Sequence, residues 1–381
     1  MAQLAGTFQT PAQGVPDIAW QTNAHAAPVT SVSFSTEGDF LASGSEDRKA
    51  KVWTMSDRRL TRTISTPNAS VMAVAITPDG TLLLTGGDDG VARMWAINTG
   101  LRIWGGSPNN DIVWSVALSR DGLVAAASGT LKAIGVVQSD GSGGHYLEAH
   151  SADVYSVVFS PDGAKLASAS ADGTAKIWRL SDSSVLYTLT GHSIFNPTNE
   201  DENVYNSVWS VDISPDGTML ATTGADDKIR IWHMVDGTQA RTVDCAGCGT
   251  AKFSSDGKLL MVLQGSSITI IRVADGKPLT MYANAGATCL AIAANGKYFA
   301  YGRGDGAVVI AYLPLILEIT RDDQRIILRW SGGSGLYQVQ RRNDPIKGKW
   351  HDVGHPTTAM SVTNKLNSQK VFYRVQSLPN P

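Results

Sequence analysis

The stretch from His150 to Trp178, HSADVYSVVFSPDGAKLASASADGTAKIW, holds three short runs separated by two turns. Val154 to Phe159 is an alternating run rich in β-branched and aromatic residues, and a Ser-Pro-Asp-Gly turn ends it at Gly163. A second run covers Lys165 to Ser168, an Asp-Gly turn follows at Asp172, and a third run ends on Trp178. Runs of this length joined by glycine turns predict neighbouring antiparallel strands, because glycine supplies the positive φ that a tight turn needs.

The unit recurs. Aligning on its first turn gives copies at Gly38, Gly80, Gly122, Gly163, Gly217, Gly257 and Gly296, at spacings of 42, 42, 41, 54, 40 and 39 residues. One period repeated in this way, with a single lengthened interval, predicts a radial repeat. From the turn glycines an aspartate falls nine positions on and a tryptophan fifteen on, as Asp47 with Trp53, Asp89 with Trp95, Asp172 with Trp178 and Asp226 with Trp232.

In these residues the chain resembles the WD-repeat β-propellers. In that family the aspartate, the tryptophan N–H, a Ser or Thr on the second strand and a His before the first form a hydrogen-bonded network in each blade. The resemblance implies complete networks in two blades, from His25, Ser43, Asp47 and Trp53, and from His150, Ser168, Asp172 and Trp178. The other blades read as eroded. The last keeps Asp305 but has Ala311 for the tryptophan, and those at Gly122 and Gly257 have neither partner, with Val136 or Val137 and Ile271 near the tryptophan place. A neutral hydrogen bond contributes only about 1 kcal/mol net, so packing between blades can absorb such losses.

The expected fold is therefore all-β: a flexible tail over residues 1–14, a seven-bladed propeller over 15–313 and a separate unit over 314–381. The last blade lacks an outer strand of its own, since Leu313-Pro314 leads away. Pro16 to Asn23, carrying Trp20, is expected to pair beside Ala307 to Ala311 and close the ring. From Leu315 the period stops. Alternating runs at Gln324 to Trp330, Leu336 to Arg341, Lys349 to Val353, Thr358 to Thr363 and Lys370 to Gln376 resemble a small fibronectin type III-like sandwich, by pattern alone, with Trp330 and Tyr373 as core rings.

A net charge of −2 argues against general affinity for nucleic acid. Residues 314–381 carry 10 Lys+Arg against 5 Asp+Glu, +5, which leaves −7 for the rest. Three cysteines make no disulfide framework. No apolar run is long enough to span a membrane. The first twenty residues lack a basic region followed by an apolar core, so the chain as written is expected in the cytoplasm, and outside the cell if a leader has been removed.

No arrangement of nucleophile, acid, base or metal ligands stands out, so the chain is expected to be no enzyme and to need no cofactor or metal. Cys245-Ala-Gly-Cys248 has the spacing of a redox or metal pair, but a structural zinc site takes four ligands; small residues filling a crowded loop, a dithiol or disulfide, and a metal pair all remain open. Asp212 and Lys252 share one register on neighbouring inner strands and are read as an ion pair. Asp305 of Arg303-Gly304-Asp305 holds the repeat's turn position, which argues against adhesion through that tripeptide. The long interval comes from residues 193–207, where Phe195, Glu200, Asp201 and Glu202 lie; this is either a tolerated surface loop or a loop that binds a partner or an ion.

One column of the repeat carries the functional expectation. Eight residues before the turn glycines stand Thr30, Met72, Trp114, Tyr155, Trp209, Gly249 and Thr288. By the resemblance this column rings the channel mouth on the top face, where partners are gripped. Three consecutive blades thus present Trp114, Tyr155 and Trp209, with Met72 beside them and Glu46 and Asp88, just before the turn aspartates, reaching the same face. Rings flanked by acids suit a protein or peptide with apolar anchors and basic flanks; packing of the rings beneath the 193–207 loop is the other reading. The expected function is non-enzymatic protein binding by a monomeric scaffold. The alternative is an adhesion or carbohydrate-binding protein attached through its C-terminal unit.

Overall fold

The computed structural model describes residues 12–13, 16–106, 112–119, 122–128, 132–148, 150–192, 207–314, 316–321, 325–331, 336–342, 349, 351–353, 361–365 and 372–378. Their regular structure is all strand, and among them no helix is long and apolar enough to cross a membrane.

Seven antiparallel sheets form the blades of a propeller. Blade 1 runs through Val29–Phe34, Phe40–Ser45, Lys49–Thr54 and Leu60–Ser65. Blade 2 runs through Val71–Ile76, Leu82–Gly87, Ala92–Ala96 and Arg102–Gly106. Blade 3 runs through Val113–Leu118, Leu123–Ser128, Ala133–Gln138 and His145–Glu148, and blade 4 through Val154–Phe159, Lys165–Ser170, Ala175–Arg179 and Ser184–Leu189. Blade 5 uses Val208–Ile213, Met219–Gly224, Lys228–His233 and Gln239–Asp244, blade 6 uses Cys248–Phe253, Leu259–Gln264, Ser267–Arg272 and Pro278–Tyr282, and blade 7 begins with Ala287–Ile292, Tyr298–Arg303 and Ala307–Tyr312.

Position in the blade explains composition. The second strand has neighbours on both faces and is buried almost throughout, so it reads as small and apolar residues, as in Leu41-Ala-Ser-Gly-Ser45. The outermost strand faces water and is largely exposed, as in Leu60–Ser65. The third strand supplies the interface between blades. Trp53 packs on Ala300, Val308 and Ile310 of blade 7, Trp95 on Ala42, Ala50 and Val52 of blade 1, Trp178 on Ile134, Val136 and Leu147 of blade 3, and Trp232 on Ala167, Ala169 and Ile177 of blade 4. Each tryptophan is thus driven against the preceding blade, where burying a large side chain contributes about 2–3 kcal/mol.

The register places Val137, Ile271 and Ala311 where the other blades have tryptophan, opposite Val124, Leu260 and Phe299. Blade 7 restores the lost volume across its pair: Phe299 replaces the leucine found at this place in blades 1, 2, 4, 5 and 6, is fully buried, and stacks on Tyr282 of blade 6 with centroids 6.0 Å apart. Blade 3 has a valine at both places.

The innermost strands would leave backbone donors bare along the channel. A serine one residue past the rim column answers this. Ser31, Ser115, Ser156 and Ser210 accept the amides of Val74, Val157, Val211 and Ala251 of the next blade at 3.1, 3.2, 3.3 and 3.4 Å. Between blades 5 and 6 Asp212 adds the expected ion pair, accepting from Lys252 Nζ at 3.0 Å and from the Phe253 amide at 2.9 Å.

The ring closes as expected. Ile18–Asn23 lies antiparallel to Ala307–Tyr312, with Trp20 opposite Ile310 and Asn23 opposite Ala307, and becomes the fourth strand of blade 7. Ala12–Gln13, within the segment expected as a tail, runs parallel to Thr280 and Met281 on the outside of blade 6. Beyond the propeller, Arg325–Ser331 pairs with Ile316–Arg321 and Ser361–Lys365, and Leu336–Arg342 pairs with His351–Asp352 and Phe372–Leu378. The alternating pattern did not single out Ile316–Arg321.

Removing residues 1–23 is expected to abolish the single cooperative unfolding transition of the propeller. Trp20→Ala, which deletes a half-buried ring at the seam, is expected to lower stability by about 2 kcal/mol. Thermal and urea unfolding check both.

Candidate functional site

The rim column gathers around a central channel of about 400 Å³ whose wall includes Thr30, Met72, Trp114, Tyr155, Trp209 and Lys252. Trp114 meets Tyr155 edge-on at 5.9 Å, and Tyr155 stacks on Trp209 at 5.3 Å with 29° between the planes. The three rings form one continuous arc over blades 3 to 5. Trp114 and Trp209 keep 37% and 40% of their surface exposed, far more than the 8% or less of the four tryptophans at the blade interfaces. Met72 lies beside the arc and is half-buried. Gly249 follows Trp209 in the column, so no side chain continues the arc there. Thr288 and Thr30 donate their hydroxyls to the carbonyls of Val29 and Val71 on the next blades.

Glu46 and Asp88 are exposed at the turns of blades 1 and 2, but neither lines the channel. The Asp88 carboxylate accepts the Ser70 amide at 2.9 Å, which fixes the approach to the inner strand. Phe195, Glu200, Asp201 and Glu202 lie outside the described residues.

Within the blades, donor and acceptor chemistry forces a direction on each network. In blade 4 the Trp178 indole donates to Ser168 Oγ at 2.9 Å, the Ser168 hydroxyl to His150 Nε2 at 2.8 Å, and His150 Nδ1 to Asp172 at 2.8 Å. Asp172 also accepts the Ser151 amide at 3.0 Å, and so ties the approach of the first strand to the turn between the second and third. In blade 1 His25 joins Ser43 at 2.6 Å and Asp47 at 3.0 Å, while Trp53 stands edge-on to Trp20.

Of the two networks expected to be complete, blade 4 joins all four members and blade 1 joins His25, Ser43 and Asp47, while blade 5, expected to be eroded, is complete. His192 joins Asp226 at 2.8 Å and Thr222 at 2.7 Å, and Trp232 donates to Thr222 at 2.9 Å. This histidine lies sixteen residues before its inner strand, where His25 and His150 lie four before theirs, because the inserted segment falls between. Blade 2 solves the same problem differently. Pro67 holds the histidine place, and Arg93 from the third strand reaches Asp89 at 3.0 Å, while Trp95 still donates to Thr85 at 2.9 Å. In blade 7 Asp305 accepts the Ala307 amide at 3.1 Å and so does hold its turn.

Burial outweighs the attraction of Asp47 for His25 and of Asp226 for His192, and both imidazoles sit below their ordinary 6.5. Burial pushes the Asp47, Asp172 and Asp226 carboxyls up, but their backbone and side-chain hydrogen bonds prevail and hold all three below the ordinary 3.8. Cys245, Cys248 and Cys289 are buried free thiols. The hydrogen bond between Cys245 and Cys248, together with burial, pushes Cys245 up. Among the described residues no three His, Cys, Asp or Glu side chains group as metal ligands.

The profile of the WD domain, G-beta repeat, matches residues 17–54, 58–96, 141–179 and 183–233. These are WD40 repeats. Each matched stretch begins just before the outer strand of one blade and ends one residue past the tryptophan of the next, Trp53, Trp95, Trp178 or Trp232. SEC12-like protein 1 of Arabidopsis thaliana is 28% identical over 186 residues, 45% of this chain and 43% of the relative. Eukaryotic translation initiation factor 3 subunit I of Candida albicans is 30% identical over 118 residues, 31% of this chain and 30% of that protein. Elongator complex protein 2 of Danio rerio is 32% identical over 108 residues, 26% of this chain and 13% of its own length. The chain thus spans less than half the length of these relatives.

The blades that escape the profile, 3, 6 and 7, are those with Val137, Ile271 and Ala311, and the turn period marks them. Two features escaped sequence reading. His192 carried the family's signal but lay outside the fixed offset, and a search allowing an insertion between histidine and strand would find it. The serines beside the rim column form a repeat of their own that the focus on aromatic residues hid.

The lowered histidines set a pH dependence. Just below pH 6.5 the unfolded chain binds more protons than the folded one, so stability present at neutral pH is lost as the pH falls from about 6.5 through the folded values. The slope reaches at most about 1.4 kcal/mol per pH unit for each imidazole. A second loss sets in as the aspartates protonate below about 3.8. Urea denaturation between pH 7.5 and 5 is expected to show the first decline. His192→Ala is expected to cost about 2 kcal/mol at pH 7.5, by leaving the Thr222 hydroxyl without its acceptor and taking one donor from Asp226, and to flatten the decline.

Proposed function

We propose that the propeller is a non-enzymatic platform that binds a protein or peptide through its channel mouth, centred on Trp114, Tyr155 and Trp209. The exposed aromatic arc carries this reading. The same column holds Thr30, Gly249 and Thr288 in other blades, so the architecture does not require rings there. Three rings in a chain of contacts through Tyr155, two of them more than a third exposed, leave apolar surface uncovered at the channel mouth. Aromatic side chains so placed are the commonest anchors of binding energy, at about 2 kcal/mol or more each. Met72 extends the apolar surface, and Glu46 and Asp88 at the adjoining turns favour basic residues flanking the bound segment. The relatives named for a translation initiation factor subunit and an Elongator complex protein fit a role within a larger assembly.

The two C-terminal sheets support a further part of the reading. Counted along this segment, the first, second and fifth strands make one sheet and the fourth, third and sixth the other. That division is the one a fibronectin type III-like sandwich uses for all but its last strand. Such a unit would serve as an appendage beside the platform, and the propeller as a monomer.

The test compares the intact chain with a Trp114→Ala, Tyr155→Ala, Trp209→Ala variant in affinity capture, followed by titration of the captured partner. The variant is expected to melt at the temperature of the intact chain and to bind at least about thirtyfold more weakly, the equivalent of one aromatic anchor. Equal affinity would move the binding surface away from the channel mouth.

A further inference from the structure

Trp20 and Trp104 occupy equivalent places in blades 7 and 2. Each lies on the outer strand opposite the middle of the third strand, Trp20 across from Ile310 and Trp104 across from Met94. Trp20 is met edge-on by the tryptophan of the following blade, Trp53, at 6.0 Å. For Trp104 the corresponding residue of the following blade is Val137, which pairs with Val124 as Trp53 pairs with Leu41. The third strand of blade 3 therefore offers it no ring.

Neither is the lost volume restored from within, as Phe299 restores it in blade 7. A cleft of about 290 Å³ lies between blades 2 and 3, bordered by Trp104, Val137, Gly135, Gly144 and Tyr146. That volume is at the small end of the range for ligand sites. Glycines supply much of the border, so side chains are missing where the other interfaces have them. Trp104 does not fall inward to fill the space, because its indole donates to the Ser139 carbonyl at 2.7 Å and its ring packs over Gly141. A fixed aromatic wall beside an unfilled apolar space lacks dispersion partners on one side, and a guest of matching shape restores them.

We propose that this cleft binds an uncharged, planar aromatic ring of indole size, which takes the place of the tryptophan that blade 3 lacks. The ring is carried by a free small molecule or by a tryptophan of a peptide, and both present the same surface to Trp104 and Tyr146. The site lies on the side of the propeller, between outer strands, and is independent of the aromatic arc at the channel mouth.

Calorimetric titration of the full chain with indole, and separately with N-acetyl-tryptophanamide, tests this. Saturable binding of indole alone assigns a free ligand; binding of both allows a peptide-borne ring. Val137→Trp is expected to weaken binding at least about tenfold and to raise the melting temperature, since the chain's own ring then fills the cleft. Gly144→Leu is a second, independent block. Its backbone is one that any residue adopts, and a Cβ there meets Val137 at an ordinary 3.7 Å. Trp114→Ala is expected to leave indole binding unchanged, which separates this site from the channel mouth. Absence of saturable binding of either compound to the intact chain, or equal binding by the intact chain and both blocked variants, overturns the proposal.

Discussion

The contact of one blade's third-strand side chains with the face of the blade before it is the constraint on which the molecule depends. A four-stranded sheet whose second strand is buried on both faces cannot be stable alone in water, because each face must find an apolar partner. Stacking satisfies every interior blade but leaves two bare faces at the ends of a row. Bending the row into a ring removes both. Ile18–Asn23 then turns the meeting of blades 7 and 1 into an interface like the rest, with Trp20 and Trp53 at its centre. The unequal interfaces are read against this requirement: Phe299 and Ala311 exchange sizes across one strand pair, while Val124 and Val137 leave space.

The hydrogen-bonded networks serve the same ring in another way. In blades 4 and 5 the network runs from the interface tryptophan to an aspartate that holds the turn between the second and third strands. Packing at the interface is thereby converted into a fixed position for the residues at the rim. The serines one place further along the inner strands of blades 1, 3, 4 and 5 act sideways, tying a blade's first strand to its neighbour's. Tyr155 and Trp209 therefore stand on backbone restrained in two directions. A surface meant to hold a partner without reorganising benefits from such support, since little ordering cost is left for the moment of binding.

Much of this was legible because the physical demands repeat. Turn glycines with positive φ recur at one spacing, and they revealed blades 3, 6 and 7 even where tryptophan and histidine are missing. The pairing of Ile18–Asn23 with blade 7 followed from simple deficit, since Leu313-Pro314 left one strand unaccounted for. His192 was hidden because a hydrogen bond depends on distance in space, and an insertion changes distance along the chain without changing it in space. The meeting of Trp114, Tyr155 and Trp209 could be anticipated from their shared column, because a common offset in the repeat fixes a residue's level in the blade. The Trp104 cleft was invisible because it arises from two residues being small at once, on strands whose pairing only the fold makes plain.

The strand that seals the ring also sets an order of events. Trp20 lies opposite Ile310, 290 residues further along the chain. During synthesis Ile18–Asn23 emerges long before its partner strand exists, and must wait while six blades form. Hairpins within each blade close locally and early, whereas this pairing bears the entropy of the longest loop in the propeller. Until it forms, blades 1 and 7 each expose an apolar face, and both are open to the wrong partner, including the same faces of a second copy. A nascent propeller is therefore most vulnerable at the very seam that makes the finished one secure.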